Sequence, residues 1–461
     1  MTAKALVWLR NDLRIADNPA LHAAIKLGGT ITALFVHETN PRLRAPGGAS
    51  RWWLEQSLNL LEKSLNYCNV ELIVAHGEAS SIIGQLVDEN SFDTIFWNRR
   101  YAPAERKVDA LIKSSLKDKG LHVESFAGNL LAEPWDIKTG SGGPYQVFTP
   151  YAKALRQHGV SRPLPSQEGR VETSTVKHKP KKEAYRQALW SKKLDGLWKI
   201  GEAAAIDQLY YFLETTIHNY AGDRDRPDVE GTSKLSPHFR FGELSPRQAW
   251  HATLSRMDQD QTARAGGEKF LSELIWRDFH YHQLYYRPDI AENDMRDTLA
   301  DVRWHCDPEA IGSWKKGNTG IPMIDAGMRQ LWATGWMHNR VRMLVASALS
   351  KNMQTDWRVG EKWFWDTLVD ADIASNPGSW QWVAGCGMDA APYFRVFNPV
   401  LQGEKFDRHG VYVRKWVPEI AALSDRWIHK PFAAPEEVLR EAGIVLGKTY
   451  PLPIFTALKA C

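Results

Sequence analysis

Four short runs of the chain carry side chains whose types and spacing could do chemistry. In LSELIWRDFHYH, Glu273, Trp276 and Arg277 fall at i, i+3 and i+4 and share one helix face. A carboxyl beside a large aromatic plate can hydrogen-bond and stack on a base. The same residues also read as a Glu–Arg pair on a surface helix with Trp276 half buried. In WMHNRVRM, Asn339, Arg342 and Met343 repeat that spacing and offer an amide, a guanidinium and a thioether. The plainer account has Met343 filling core and Arg342 snorkelling to solvent. His338 has no second His or Cys at metal spacing and reads as structural.

The third run, DADIASNPGSWQWVAGCGMDAAPYFRVFN from Asp370 to Asn398, sets Asp370, Asp372, Asn376, Trp380 and Trp382 within thirteen residues. Carboxylates and amides are costly to bury without partners. This mix suits the surroundings of a flat, polar-edged, redox-active ring. Asp370 and Asp372 precede what reads as a turn at Asn376-Pro377-Gly378. Trp380 and Trp382 are two apart, so on a helix they point about 200° apart and serve different surfaces. If Arg342 approaches Asp370, the buried ion pair fixes orientation and field more than it stabilises. The fourth run, GTSKLSPH at 231–238, gathers hydroxyls from Thr232, Ser233 and Ser236 with Lys234 before a helix opened by Pro237. Backbone donors at such a start can hold an anion, although Ser-Pro caps are common in plain helices.

Elements must position these groups. The first third alternates apolar runs at 5–9, 31–37, 70–76, 93–98 and 122–126 with amphipathic stretches at 18–27, 50–66, 79–90 and 103–119. Strands alternating with helices predict a doubly wound parallel-sheet α/β domain, residues 1–131. The first strand is followed by RNDLRIADNPA, with Asp17 or Asn18 as cap and Pro19 at the helix start. No GxGxxG occurs there, so a dinucleotide grip of that kind is not supported. Residues 132–205 read as an irregular connector; GSGGP at 140–144 is a turn, and the basic run KHKPKK at 177–182 is a solvated loop with a DNA-phosphate role as the lesser alternative. Residues 206–461 read as an all-α domain. Its helix starts are marked at Ser236-Pro237, Ser245-Pro246 and Ile321-Pro322, and Gly335 closes one helix so that the next begins near Met337 or His338.

The chain is 461 residues long, with net charge +4 and 43% hydrophobic content, which fits a folded protein of two or more domains. A charge so nearly balanced neither demands nor excludes nucleic acid. No apolar run long enough to span a membrane occurs, and Lys4, Arg10, Asp12 and Arg14 interrupt the early apolar segment. Cys68, Cys306, Cys386 and Cys461 are far apart, which argues against zinc and disulfide frameworks and favours a reducing cytoplasm. Thirteen of twenty tryptophans lie after residue 205, and most fill helical cores.

In order along the chain, EGTSKLSPH, ELIWRDF, TGWMHNRVRM, DWRVGEKWF and DAAPYFRVFNPVLQGEKFD resemble the flavin domain of the DNA photolyases and cryptochromes. Each run is modest alone; the set is specific, and the resemblance covers nearly the whole chain. It implies FAD folded in a U within the helical domain. Tyr220, Thr232, Ser233, Lys234, Leu235 and Ser236 then line its phosphates and ribityl, with Lys234 replacing an arginine of some members. Asn339, Arg342, Asp370, Asp372 and Asn376 border the isoalloxazine, and Glu273, Trp276 and Arg277 also lie at the cofactor. Asn376 matches the residue facing flavin N5, where an amide can adapt its hydrogen bonding; plant cryptochromes carry aspartate there, so the asparagine leans toward repair.

The implied reaction is light-driven reversal of a cyclobutane pyrimidine dimer by excited reduced FAD, acting on UV-damaged DNA as a monomer. Photolyases flip their target out of the duplex, a step that general accounts of base flipping name for this class. Trp276 and Trp382 resemble the walls of the lesion pocket, Glu273 the carboxyl that bonds the 5′ base, and Asn339 and Met343 further lesion contacts. Arg224, Arg340 and Arg395 are candidates for the flanking phosphates. Trp380, Trp357 and Trp304 align with the family's electron-transfer chain, which reduces the flavin. The family also implies an antenna chromophore, a reduced folate or else a deazaflavin; Glu105, in YAPAERKVD, survives from an Asn-Glu pair of folate-binding members. The competing readings are a signalling cryptochrome, a (6-4) photolyase, which calls for two adjacent histidines where this chain has His338-Asn339-Arg340, and a helical nucleic-acid binder without cofactor.

Overall fold

The computed structural model describes residues 3–165, 172, 176, 179–180, 184–392 and 395–455. Five strands form one parallel sheet: β1 (Lys4–Leu9), β2 (Thr30–Glu38), β3 (Glu71–Gly77), β4 (Thr94–Asn98) and β5 (His122–Phe126). Around and after them run α1 (Pro19–Leu27), α2 (Gly48–Tyr67), α3 (Ala79–Asn90), α4 (Pro103–Asp118), α5 (Phe148–His158), α6 (Glu202–Glu214), α7 (Tyr220–Asp223), α8 (Ser236–Phe241), α9 (Pro246–Gln259) and α10 (Arg264–Tyr286). The remaining helices are α11 (Pro308–Lys316), α12 (Pro322–Thr334), α13 (Asn339–Ser347), α14 (Trp357–Thr367), α15 (Ser375–Ala384), α16 (Pro399–Phe406), α17 (Val411–Trp416) and α18 (Glu436–Glu441).

Packing divides the chain into two compact units. The first comprises residues 1–192, 198–215 and 233–288, and the second residues 193–197, 216–232 and 289–461. Boundaries at 131/132 and 205/206 follow changes in composition, whereas these units follow contacts.

In the first unit the sheet order is β3-β2-β1-β4-β5, so the winding reverses between β1 and β4. The strands are apolar runs buried on both faces, as a parallel sheet between helices requires. Ligands of doubly wound sheets bind outside the strand ends at such a reversal. Here polar side chains of the chain itself stand at those ends. Asn98 Nδ2 donates to Asp12 Oδ2 and Asn18 Oδ1 at 2.6 and 2.8 Å, and Arg10 and Arg100 both pair with Asp109. Asn18 caps α1 through the Leu21 amide, with Pro19 in its first turn. The GSGGP segment is a turn closed by Thr139 on Gly142 and Gly143. The connector is not wholly irregular, however: α5 lies within it, opened by Phe148-Thr149-Pro150 where proline is tolerated. Of KHKPKK, residues 177, 178, 181 and 182 lie outside the described residues; Lys179 pairs with Glu71.

The second unit is built on one apolar core in which Trp314, Phe364, Trp357 and Trp380 are buried together with residues of α12 to α15. Gly335 ends α12 in the left-handed region at φ 70°, and His338 caps α13. Among the described residues no helix is long and apolar enough to cross a membrane.

Candidate functional site

In the second unit, Arg342 reaches from α13 to Asp370 as a two-pronged ion pair, Nη1–Oδ1 at 3.1 Å and Nη2–Oδ2 at 2.8 Å. Its Nε donates to the Met337 carbonyl at 2.7 Å, so the planar fork is held along its whole edge. The carboxylate is 2% exposed and the arginine 24%. Arg342 therefore does not snorkel; it is a fixed charge with one face left open. Met343 is half buried against the core and Asn339 is exposed at the first turn of α13.

Asn376-Pro377-Gly378 is not a turn before a helix. It is the first turn of α15. Asp372 Oδ1 accepts from the Ala374 and Ser375 amides at 3.0 and 2.7 Å, which satisfies the orphan donors of that helix start, and Pro377 sits where its missing N–H costs nothing. This capping holds Asn376 in a buried position. Its Nδ2 donates to both the carbonyl and the carboxylate of Glu361, at 3.1 and 2.8 Å. Two acceptors on one amide nitrogen fix which end is nitrogen. The Asn376 carbonyl oxygen has no hydrogen-bond partner among the described residues. The sequence suggests an amide that can adapt its hydrogen bonding; here Glu361 holds its nitrogen, so the side-chain oxygen is the end presented. Glu361 was missed because a lone glutamate in DWRVGEKWF looks like a solvated helix residue; it is almost wholly buried.

Trp380 points into the core. It meets Phe364 edge-on, centroids 5.0 Å apart at 74°, and lies against Gly360 so closely that a Cβ there would sit 2.1 Å from Cη2. Its Nε1 is buried without a partner among the described residues. Trp357 is fully buried and donates to Asp294 at 2.9 Å, while Trp304 packs half-buried on the same core. Trp382 faces elsewhere, stacked on Phe397 at 6.4 Å and 18°. The two tryptophans do serve different surfaces.

Tyr220 is buried in α7 and Thr232 is half buried. Arg224 and Arg340 share the Asp225 carboxylate, at 3.5 and 2.6 Å, and Arg340 lies over Phe406. Arg395 is exposed. His338 accepts the Arg340 amide on Nδ1 at 3.2 Å. Burial pushes it down to about 4 against the pull of Asp225, so it is a neutral cap.

In the first unit, α10 carries Glu273, Trp276 and Arg277. Glu273 pairs with Lys269 one turn back, at 3.2 Å, rather than forming the Glu–Arg surface pair that spacing suggested. Arg277 donates instead to the Asn129 carbonyl at 2.7 Å. Next to it Asp278 accepts from the Leu131 and Ala132 amides, and burial lifts its carboxyl to about 7. These bonds tie α10 to the segment after β5. Trp276 lies flat on Phe148, 3.7 Å between centroids and 2° between planes. Phe148 was missed because it sits in a stretch read as connector.

The anion-site reading of GTSKLSPH fares less well. Helix α8 has six residues, its cap is Leu235 with no side-chain bond, and Ser236 lies inside it. What distinguishes the run is Lys234 in the left-handed region at φ 53°, and Ser233, whose carbonyl accepts from Gln208. Glu105 Oε2 accepts the Ala102 amide at 3.2 Å, closing the first turn of α4. Among the described residues no cluster of metal ligands occurs.

Residues 270–460 match the model for the FAD binding domain of DNA photolyase, and residues 5–168 match the DNA photolyase model. A deoxyribodipyrimidine photo-lyase of Agrobacterium fabrum is 46% identical over all of this chain and 96% of its own length. Cryptochrome-1 of Arabidopsis thaliana is 36% identical over 98% of this chain and 68% of its own length. A crystal structure of a bacterial class III photolyase from Agrobacterium tumefaciens superposes with a TM-score of 0.93 at 44% identity, covering 99% of this chain and 95% of that one.

Proposed function

The chain belongs to the DNA photolyase and cryptochrome family, and from that premise we propose that it is a deoxyribodipyrimidine photo-lyase, opening cyclobutane pyrimidine dimers in UV-damaged DNA under blue light. Reduced FAD, when bound, supplies the photo-excited electron for ring opening and takes it back afterwards. The observation that carries the reading is Asn376, whose amide nitrogen is fully engaged by Glu361 and whose carbonyl is left to accept. An acceptor fixed there suits a ring whose edge nitrogen bears a proton, which is the reduced form that repair needs. An aspartate there, as in the plant photoreceptors, would offer a different charge.

The rest of the assignment follows residue by residue. Arg342 and Asp370 hold a rigid dipole at the ring edge, and Asp372 holds the helix turn that presents Asn376. Asn339 borders the ring as well. Tyr220 and Thr232 in the second unit, and Ser233, Lys234, Leu235 and Ser236 in the first, serve the phosphates and ribityl. Trp380, Trp357 and Trp304 carry electrons inward during reduction; the first two are buried and Trp304 is half buried, as a relay that starts at the surface requires. Glu273, Trp276, Asn339, Met343 and Trp382 receive the extruded lesion, Arg277 serves the cofactor, and Arg224, Arg340 and Arg395 serve the phosphates. A His338 held neutral offers no imidazolium proton, which disfavours (6-4) repair.

A second chromophore, most simply a reduced folate, would serve residues 1–131, which we take as an antenna domain joined by 132–205 to the cofactor domain 206–461. Its identity is read by extracting the pigment and recording its absorption. Action as a monomer in the cytoplasm completes the proposal. The test is direct: reduce the holoprotein, add dimer-containing oligothymidylate, and compare dimer content in blue light and in the dark. Loss only in light supports repair; equal loss, or none, ends it.

A further inference from the structure

The loop after α15 carries Arg395, one of the groups assigned to DNA, and it rests on a buried lysine. Helix α13 runs on into a π-helical turn, Ala348–Asn352. A turn of this kind shifts the side chains that follow it and is frequent at functional sites. Here it turns Lys351 inward, 8% exposed. Its Nζ donates to the Arg395 carbonyl at 2.9 Å and to the Pro392 carbonyl at 3.4 Å. At the last residue of α13, Ser347 Oγ accepts the Phe397 amide at 3.1 Å.

Beyond this anchor the loop is a chain of contacts. The Arg395 amide donates to the Pro392 carbonyl at 2.9 Å, and the Arg395 guanidinium lies 5.6 Å from the Phe397 ring. Phe397 stacks on Trp382, and the Trp382 carbonyl accepts from Ala391. A buried ammonium is costly, and the Arg395 and Pro392 carbonyls help to hold that of Lys351. Burial, then the charge of Arg395, pushes it down to about 8.

We propose that Lys351 is a positioning residue for damaged DNA, holding Pro392 and Arg395 from beneath so that Arg395 faces a phosphate and Phe397 backs Trp382. The inference rests on the repair reading above, and it adds a residue that touches neither lesion nor flavin. It is tested with the flavin-loaded protein in the dark, by measuring Kd for dimer-containing oligothymidylate in wild type, K351M, R395A and the double variant. Flavin content and photoreduction rate are recorded alongside, since neither should change.

K351M is expected to weaken binding about tenfold, and in the R395A background to add less than about twofold, because neighbours that act as one unit are not additive. The same cycle with K351R, which keeps the charge and two donors, covers a K351M that does not accumulate. K351R should shift Kd by about threefold, and that shift should vanish in R395A. K351M binding like wild type, or losses that multiply in the double variant, would overturn the proposal. So would an R395A that binds normally while K351M does not. A wild type that fails to bind the dimer at all would instead remove the repair reading itself.

Discussion

Two tryptophan–phenylalanine pairs show how the same residues take on different tasks. In the first unit Trp276 and Phe148 lie parallel, 3.7 Å apart, and both are only half buried. In the second, Trp380 meets Phe364 edge-on at 5.0 Å, buried against Gly360 and without a partner for its indole N–H. Edge-on contact is a favoured packing of aromatic rings in a core, whereas a face-to-face sandwich is not. On the proposed reading the first pair serves as a surface platform for a base and the second as a packed conductor. Local burial and ring geometry, not residue type, then separate the two proposed tasks.

The largest effect should come from breaking the conductor. Gly360→Ala puts a methyl 2.1 Å from Trp380 and 2.7 Å from Leu349, so the ring must move. Overpacking of this kind costs about 1–3 kcal/mol. The melting temperature should fall, and photoreduction followed by flavin bleaching should slow by more than tenfold, while repair by chemically reduced protein persists. On the platform side, Glu273→Ala should lower repair yield about tenfold with flavin still bound, the size expected for a lost bond to a charged group. Normal repair in that variant would remove Glu273 from the lesion contacts. Phe148→Ala leaves Trp276 unsupported; dimer affinity should drop about fivefold, within the range of one base–aromatic stack, with photoreduction unchanged.

The effect confined to stability is a pH dependence. His338 is lowered in the fold from 6.5 to about 4, so the unfolded chain binds the extra proton between those values. Stability from the neutral cap is complete above about 6.5 and is lost as pH falls through 4, at up to about 1.4 kcal/mol per pH unit. Denaturant melts of His338→Asn should show a shallower acid slope than wild type over that window. An identical slope would mean His338 is not a buried neutral cap.

Most of the sheet was legible because strands buried on both faces leave continuous apolar runs, and β2 and β4 differ from their sequence bounds by no more than one residue at either end. The i, i+3, i+4 faces of α10 and α13 were legible for a similar reason, since period alone reveals them. Other features depend on partners far away in sequence. Pro377 and Gly378 look like a turn until Asp372 is seen capping the amides before them. Helix α5 hid behind glycine and proline. Glu361, Asp225 and Lys351 are charged residues that look solvated in one dimension, and only packing shows that each is held inside a network.

The most direct test of the separation between platform and conductor is to measure two rates in each of two variants, Trp276→Ala and Trp357→Phe. One rate is photoreduction of the oxidised flavoprotein; the other is dimer loss under blue light by protein reduced beforehand. The account predicts a crossing: Trp276→Ala reduces normally but repairs poorly, and Trp357→Phe repairs normally once reduced but does not photoreduce. Loss of repair in pre-reduced Trp357→Phe, or equal loss of both rates in either variant, would contradict it.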